Sequence, residues 1–96
     1  REARATFQVQ HENVVRVYDA NEFDGVPYIA MELLAGLPLD KRLKDGPPVA
    51  LREALRIVRQ TALGLTAVHA RGLVHRDLKP GNLWIEAPSG RVKVLD

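Results

Sequence analysis

Three groups able to do chemistry fall close together in the loop His75-Arg76-Asp77-Leu78-Lys79-Pro80-Gly81-Asn82: the carboxylate of Asp77, the ammonium of Lys79 and the amide of Asn82. A fourth, Asp96, ends the chain after the apolar Val92, Val94 and Leu95. A carboxylate can orient a hydroxyl and accept its proton, and an ammonium can balance developing negative charge. Carboxylate and amide oxygens are hard ligands for a divalent cation. Taken singly, Asp, Lys, Pro, Gly and Asn are what solvated turns are made of. Their combination is different, because chance would fix His, Arg, Asp, Lys and Asn at these places roughly once in a few million positions. Loops held by rigid elements are also where such groups are put to use.

Two elements must hold that loop. Before it, Leu51, Leu55, Val58, Ala62, Leu65 and Val68 recur at three- and four-residue steps, which predicts a long helix over residues 50 to 71 with one apolar stripe and Gly72 as its stop. No Ser, Thr, Asp or Asn caps its start; the Pro47-Pro48 pair marks the boundary. After the loop, Leu83 to Ile85, a Pro88-Ser89-Gly90 turn and the alternating Arg91-Val92-Lys93-Val94 predict a hairpin. Upstream, Val14, Val15, Val17 and Tyr18 pair naturally with Val26, Tyr28 and Ile29 across Asp24-Gly25 as another hairpin. Residues 36 to 48, rich in Gly, Pro and charge, read as a linker with room for one short helix around Leu39 to Leu43. Residues 1 to 10 read as the last turns of a longer helix.

Composition narrows the function classes. Lys and Arg number 14 against 12 Asp and Glu, a balance of +2, so no clustered charge argues for nucleic acid or an anionic membrane. No apolar run approaches the ~20 residues of a membrane-spanning helix, and no basic-then-apolar leader stands at the start. Without cysteine there is no thiolate nucleophile, disulfide or Cys-based zinc site, and a cytoplasmic setting is the expectation. Because the chain starts at Arg1 inside a helical-looking stretch and stops just after an apolar strand, it reads as a fragment cut at both ends.

The loop His75 to Asn82 resembles the catalytic loop of the protein kinases, and the resemblance runs the length of the chain. Residues 1 to 10 resemble the end of the family's C helix, with Glu2 where the family has the glutamate that pairs with the ATP-binding lysine. His11-Glu12-Asn13 is similar to the His-Pro-Asn that precedes the fourth strand. Tyr28 to Gly36 resembles the fifth strand and hinge, which would make Met31 the gatekeeper and Glu32 to Leu34 the backbone that bonds adenine. Residues 50 to 71 look like helix E, and Arg91 to Asp96 resembles the eighth strand running into the first residue of Asp-Phe-Gly. The implied fold class is α+β, a partial kinase fold from the end of helix C through strands 4 and 5, the hinge, helices D and E, the catalytic loop and strands 6 to 8. Residues 1 to 35 would belong to the small lobe and hinge, and residues 36 to 96 to the first part of the large lobe.

The resemblance implies ATP and Mg²⁺ as cofactors and a protein Ser/Thr hydroxyl as phosphoryl acceptor, with Asp77 and Lys79 catalytic and Asn82 and Asp96 on the metal. Lys79-Pro80 is similar to the Ser/Thr branch, and the Ala-Arg-Gly run before the loop looks bacterial. Trp84 falls where the family has a smaller apolar floor to the adenine pocket, where an indole would either stack on the base or crowd it. Glu2, Met31, Glu32, Leu34 and Trp84 are thus the nucleotide-site candidates. His75 resembles a structural histidine, His69 a packed or half-exposed helical one, and nothing at His11 suggests a site. Two other readings stand beside an active kinase: a truncated, pseudokinase-like binding module, since the Gly-rich loop and its lysine are outside the chain, and a small-molecule phosphotransferase. Arg76 and Lys79 favour a protein substrate over the latter. In a complete kinase the apolar stripe of the long helix would be covered by later helices; here it is expected to be exposed.

Overall fold

The computed structural model describes residues 9–72 and 78–95. Glu2, His75, Arg76, Asp77 and Asp96 lie outside the described residues, as does most of the helix expected over residues 1 to 10.

The first hairpin joins β1 (Val17–Phe23) to β2 (Val26–Met31) in antiparallel register from Val17 opposite Met31 to Phe23 opposite Val26. Asp24 and Gly25 both have positive φ, 53° and 80°, the twist that suits a two-residue turn between right-handed strands. Most of the hairpin is exposed, Phe23 at its tip to 76%.

A second, antiparallel sheet has the order β3 (Gly36–Pro38), β4 (Leu83–Glu86) and β5 (Val92–Val94). The β4–β5 hairpin forms where alternation and the Pro88-Ser89-Gly90 turn place it. β3 corrects the reading of residues 36 to 48 as linker: Gly36, Leu37 and Pro38 pair with Glu86, Ile85 and Trp84. Three residues show no period, and Pro38 is tolerated because β3 is an edge strand with one neighbour. The short helix that follows, α1 (Leu39–Asp45), runs two residues beyond the expected Leu43.

The long helix α2 (Leu51–Ala70) starts and ends within a residue of expectation and has no side-chain N-cap. Its apolar periodicity marks two faces. Leu51, Leu55 and Val58 of the expected stripe are exposed to 75%, 60% and 64%, whereas its Val68 is buried and its Leu65 half-buried, a correction to the expectation that the whole stripe is exposed. The face turned to the sheet is instead built on Ile57, Gly64 and Val68, with Leu65 half-buried beside them. A count of apolar side chains catches Leu65 and Val68 on that face but misses its centre, because a glycine lies there and Gln60 and Thr61 flank it.

The core follows from this packing. Leu39, Ile57, Leu83, Ile85, Val92 and Val94 form one buried cluster, and Val9, Val14 and Val68 a second. Each such side chain contributes about 1.5–3 kcal/mol when fully buried. Val92 and Val94 point from β5 toward α2, so the intervening Lys93 points to the opposite face. The stretch before β1 is tied to the same strand: the Val94 amide donates to the Asn13 carbonyl at 2.8 Å and the Val15 amide to the Val94 carbonyl at 3.0 Å.

Candidate functional site

Lys79 enters a single 3₁₀ turn, Pro80–Asn82, whose first position is the proline, where a missing N–H costs nothing. The Asn82 amide closes the turn on the Lys79 carbonyl at 2.9 Å. α1 backs it: a Cβ on Gly81 would stand 3.6 Å from Asp40 Oδ2, ordinary packing distance. Lys79 is exposed and Asn82 half-buried.

The decisive link runs from this turn to the end of β5. The Leu95 amide donates to the Asn82 carbonyl at 2.8 Å, which brings the backbone immediately before Asp96 against the turn that ends the loop. Of the four chemistry-bearing residues, Lys79 and Asn82 are therefore on the described turn. Asp77 and Asp96 are each one residue from a described segment, so the convergence of all four side chains lies outside it. Among the described residues no group of three or more His, Asp or Glu side chains could hold a metal ion.

The segment leading out of β2 is held from two sides. The Glu32 amide donates to the Arg16 carbonyl at 2.8 Å and the Arg16 amide donates to Glu32 Oε2 at 2.7 Å. Lys93 Nζ reaches both Glu32 oxygens, at 3.2 and 3.0 Å, with the lysine side chain only 10% exposed and the glutamate 20%. At the other end, the Ala35 carbonyl accepts from the Ala87 amide at 3.1 Å and from Trp84 Nε1 at 3.0 Å. Between these anchors Leu33 is 98% exposed and Leu34 half-buried; Met31, at the end of β2, is 46% exposed. A cavity of about 320 Å³ opens against the ion pair, bordered by His11, Val14, Arg16 and Tyr18.

Met31, Glu32 and Leu34 thus lie along one linker and Trp84 bonds to its far end, while Glu2 lies outside the described residues. Lys93, Arg16 and the Ala35 carbonyl were missed. The signal for Lys93 was available in the alternation Val92-Lys93-Val94, which sets it on the face away from the core, but its partner is 61 residues away. His11 is a turn residue: its Nδ1 accepts the Asn13 amide at 3.0 Å. Tyr28 donates to Asp19 Oδ2 at 3.3 Å, and its phenol is held above its ordinary value by partial burial first and then by the Asp19 charge and hydrogen bond.

Residues 1–96 match the family described as Protein kinase domain. Serine/threonine-protein kinase PknA of Mycobacterium tuberculosis is 43% identical over 100 residues, covering 99% of this chain and 23% of that protein. Pkn1 of Myxococcus xanthus is 42% identical over 98 residues, covering 99% of this chain and 14% of its own. The chain therefore spans less than a quarter of the length of these curated relatives. The solved kinase domain of Mycobacterium tuberculosis PknI superposes with a TM-score of 0.86 at 33% identity, over 99% of this chain and 39% of that one. A structure described as PpkA-294 in its apo form gives a TM-score of 0.89 at 23% identity, a likeness of fold. A family that characteristically uses ATP and Mg²⁺ for phosphoryl transfer matches from end to end, and its bacterial serine/threonine members align across nearly every residue: the chain belongs to the protein kinase family.

Proposed function

We propose that this segment is the central part of an ATP-dependent protein serine/threonine kinase that transfers the γ-phosphoryl group to a Ser or Thr hydroxyl. The observation that carries this reading is the bond from the Leu95 amide to the Asn82 carbonyl, because it supports a common location for Asn82 and Asp96. Their amide and carboxylate oxygens are the hard donors that suit Mg²⁺, so the donor set fits the metal. When bound, ATP and Mg²⁺ supply the phosphoryl group and neutralise its charge. The chain's own residues position and stabilise. Asp77, an acid too weak in its conjugate base to strip an alkanol outright, orients the acceptor hydroxyl and takes its proton late in transfer. Lys79 places positive charge beside the transferring group. Met31, the backbone of Glu32 to Leu34, and Trp84 border the adenine, and Glu2 pairs with a lysine of the nucleotide site.

We assign residues 1 to 35 to the small lobe and hinge, and 36 to 96 to the large lobe. This division is supported by the separate β1–β2 sheet and by the entry of the chain into the second sheet at Gly36. Arg76 and Lys79 favour a protein acceptor over a small molecule. Among the described residues no helix is long and apolar enough to cross a membrane; the kinase domain is assigned to the cytoplasm, whether or not a membrane anchor lies elsewhere in the parent chain.

The test uses the full-length gene product with ATP, Mg²⁺ and a generic Ser/Thr substrate. Phosphorylation is expected, and Asp77→Asn should lower the rate by about two orders of magnitude or more. An unchanged rate in that variant would remove Asp77 from the mechanism, and a wild type that binds nucleotide without transfer would favour the non-catalytic module. The 96 residues expressed alone should give little or no turnover.

A further inference from the structure

Trp84 and Lys93 are directly opposed across the β4–β5 ladder, so their side chains leave the same face of the sheet. That face is turned away from α2, because the neighbouring Val92 and Val94 fill the core on the other side. From this shared base the two side chains reach opposite ends of one short segment: Lys93 Nζ takes the Glu32 carboxylate, and Trp84 Nε1 donates to the Ala35 carbonyl. We propose that Trp84 and Lys93 act together as a two-point clamp that sets the position of residues 32–35, and hence of the backbone offered to the nucleotide base. Lys93 is a positioning residue; Trp84, which also borders the adenine in the kinase reading, acts on the segment through its indole N–H. The inference rests on the kinase reading only for what the segment binds; the clamp itself stands on the contacts.

Three features support a positioning role over ordinary packing. Leu33, midway between the anchors, is 98% exposed, so no core contact of its own side chain holds the segment in place. The cavity of about 320 Å³ beside Glu32 and Lys93 means that close packing does not substitute for the ion pair there. The pair is well sheltered and makes two contacts at normal hydrogen-bond distance, the geometry in which losing one partner leaves the other charge exposed to its full desolvation cost. Trp84 also changes meaning: its indole N–H is committed to the Ala35 carbonyl, so the ring cannot turn freely to accommodate a base.

The experiment compares the full-length wild type with Trp84→Phe, Lys93→Met and Lys93→Arg. Trp84→Phe keeps an aromatic ring but removes the N–H donor together with the fused five-membered ring; Lys93→Arg keeps the charge. Two readouts are taken: hydrogen exchange of the peptide spanning residues 32–35, and KM for ATP separately from kcat. Trp84→Phe and Lys93→Met should each speed exchange in that peptide and raise the ATP KM by about three- to tenfold, the range expected for one net hydrogen bond. With kcat changed by less than about twofold, this is the signature of lost binding rather than lost chemistry. Lys93→Arg should restore most of both. Unchanged exchange and unchanged KM in Trp84→Phe and Lys93→Met would overturn the clamp, as would a fall in kcat alone. Should Lys93→Met fail to fold, the exchange of residues 32–35 in Trp84→Phe still decides. If the wild type transfers no phosphate, the kinase reading fails while the exchange measurement continues to judge the clamp.

Discussion

Gly64 of α2 faces Asn13 so closely that a Cβ built on the glycine would stand 2.5 Å from the Asn13 carbonyl oxygen and 2.9 Å from Val94 Cγ2. The same carbonyl accepts the Val94 amide, so it cannot retreat without breaking the contact that ties the segment before β1 to β5. In an isolated helix Gly64→Ala would stabilise by about 1 kcal/mol. Here overpacking against backbone, at about 1–3 kcal/mol, outweighs that gain. Gly64→Ala should therefore lower the melting temperature of the protein, read by circular dichroism or calorimetry. A raised melting temperature would mean the helix stands further from Asn13 than this geometry has it.

Asn82 gives the metal reading a separate test. Its backbone is fixed by the Lys79 and Leu95 bonds, so Asn82→Ala leaves the turn's main-chain contacts in place and removes only the amide. The Mg²⁺ concentration for half-maximal phosphoryl transfer should rise by about tenfold or more, since even groups that merely orient metal ligands are worth that much. A magnesium titration at saturating ATP checks it. A variant with the wild-type Mg²⁺ requirement would show that the Asn82 side chain does not ligate the ion.

What the sequence could and could not foretell divides along physical lines. The extent of α2 and the two hairpins were legible because long stretches repeat with a period of 3.6 or 2 and end at Gly, Pro or Asp-Gly. β3 was not, since three residues carry no period and its pairing with β4 is a distant contact. The buried face of α2 was legible only in part: Leu65 and Val68 belong to the apolar stripe, but the centre needs a glycine for close approach, which hydrophobic counting scores as nothing. The loop's candidate residues could be named, and the family with them, because side-chain types at fixed spacing are local information. The ion pair of Glu32 with Lys93 was not, because a lone lysine in an alternating strand looks solvent-facing until its partner is brought in from another element.

Asn13 shows the same dependence on distant partners and yields a stability prediction. Its side-chain amide is buried and donates to the Val92 carbonyl at 2.8 Å and to Gln60 Oε1 at 3.2 Å, while Gln60 Oε1 also accepts the Val92 amide at 2.7 Å. Gln60→Leu would strand two donors at once. Each unsatisfied group costs about 1–3 kcal/mol, so the variant should be destabilised well beyond a surface substitution. Gln60→Glu retains the acceptor and should lose less. Urea unfolding of the two variants distinguishes them, and equal losses would argue that the network is not what Gln60 contributes.

Tyr28 and Asp19 supply a pH dependence whose sign can be worked out. The neutral phenol donates to Asp19 Oδ2; once ionised, it would lose some of its hydration against the hairpin and face a carboxylate. The folded chain therefore holds the phenolic proton more tightly than the unfolded chain, whose phenol titrates near its ordinary 10.0. A group raised in this way adds stability that is fully present below the unfolded value and is lost as pH climbs through the folded one. Asp19→Asn removes the charge and should bring the Tyr28 titration back toward the ordinary value, leaving the part due to burial. Carbon-13 NMR of labelled tyrosine, with Tyr28→Phe to assign the resonance, measures the shift directly. If the titration midpoint is the same in Asp19→Asn and wild type, the carboxylate is not responsible, and burial of the ring accounts for the whole displacement.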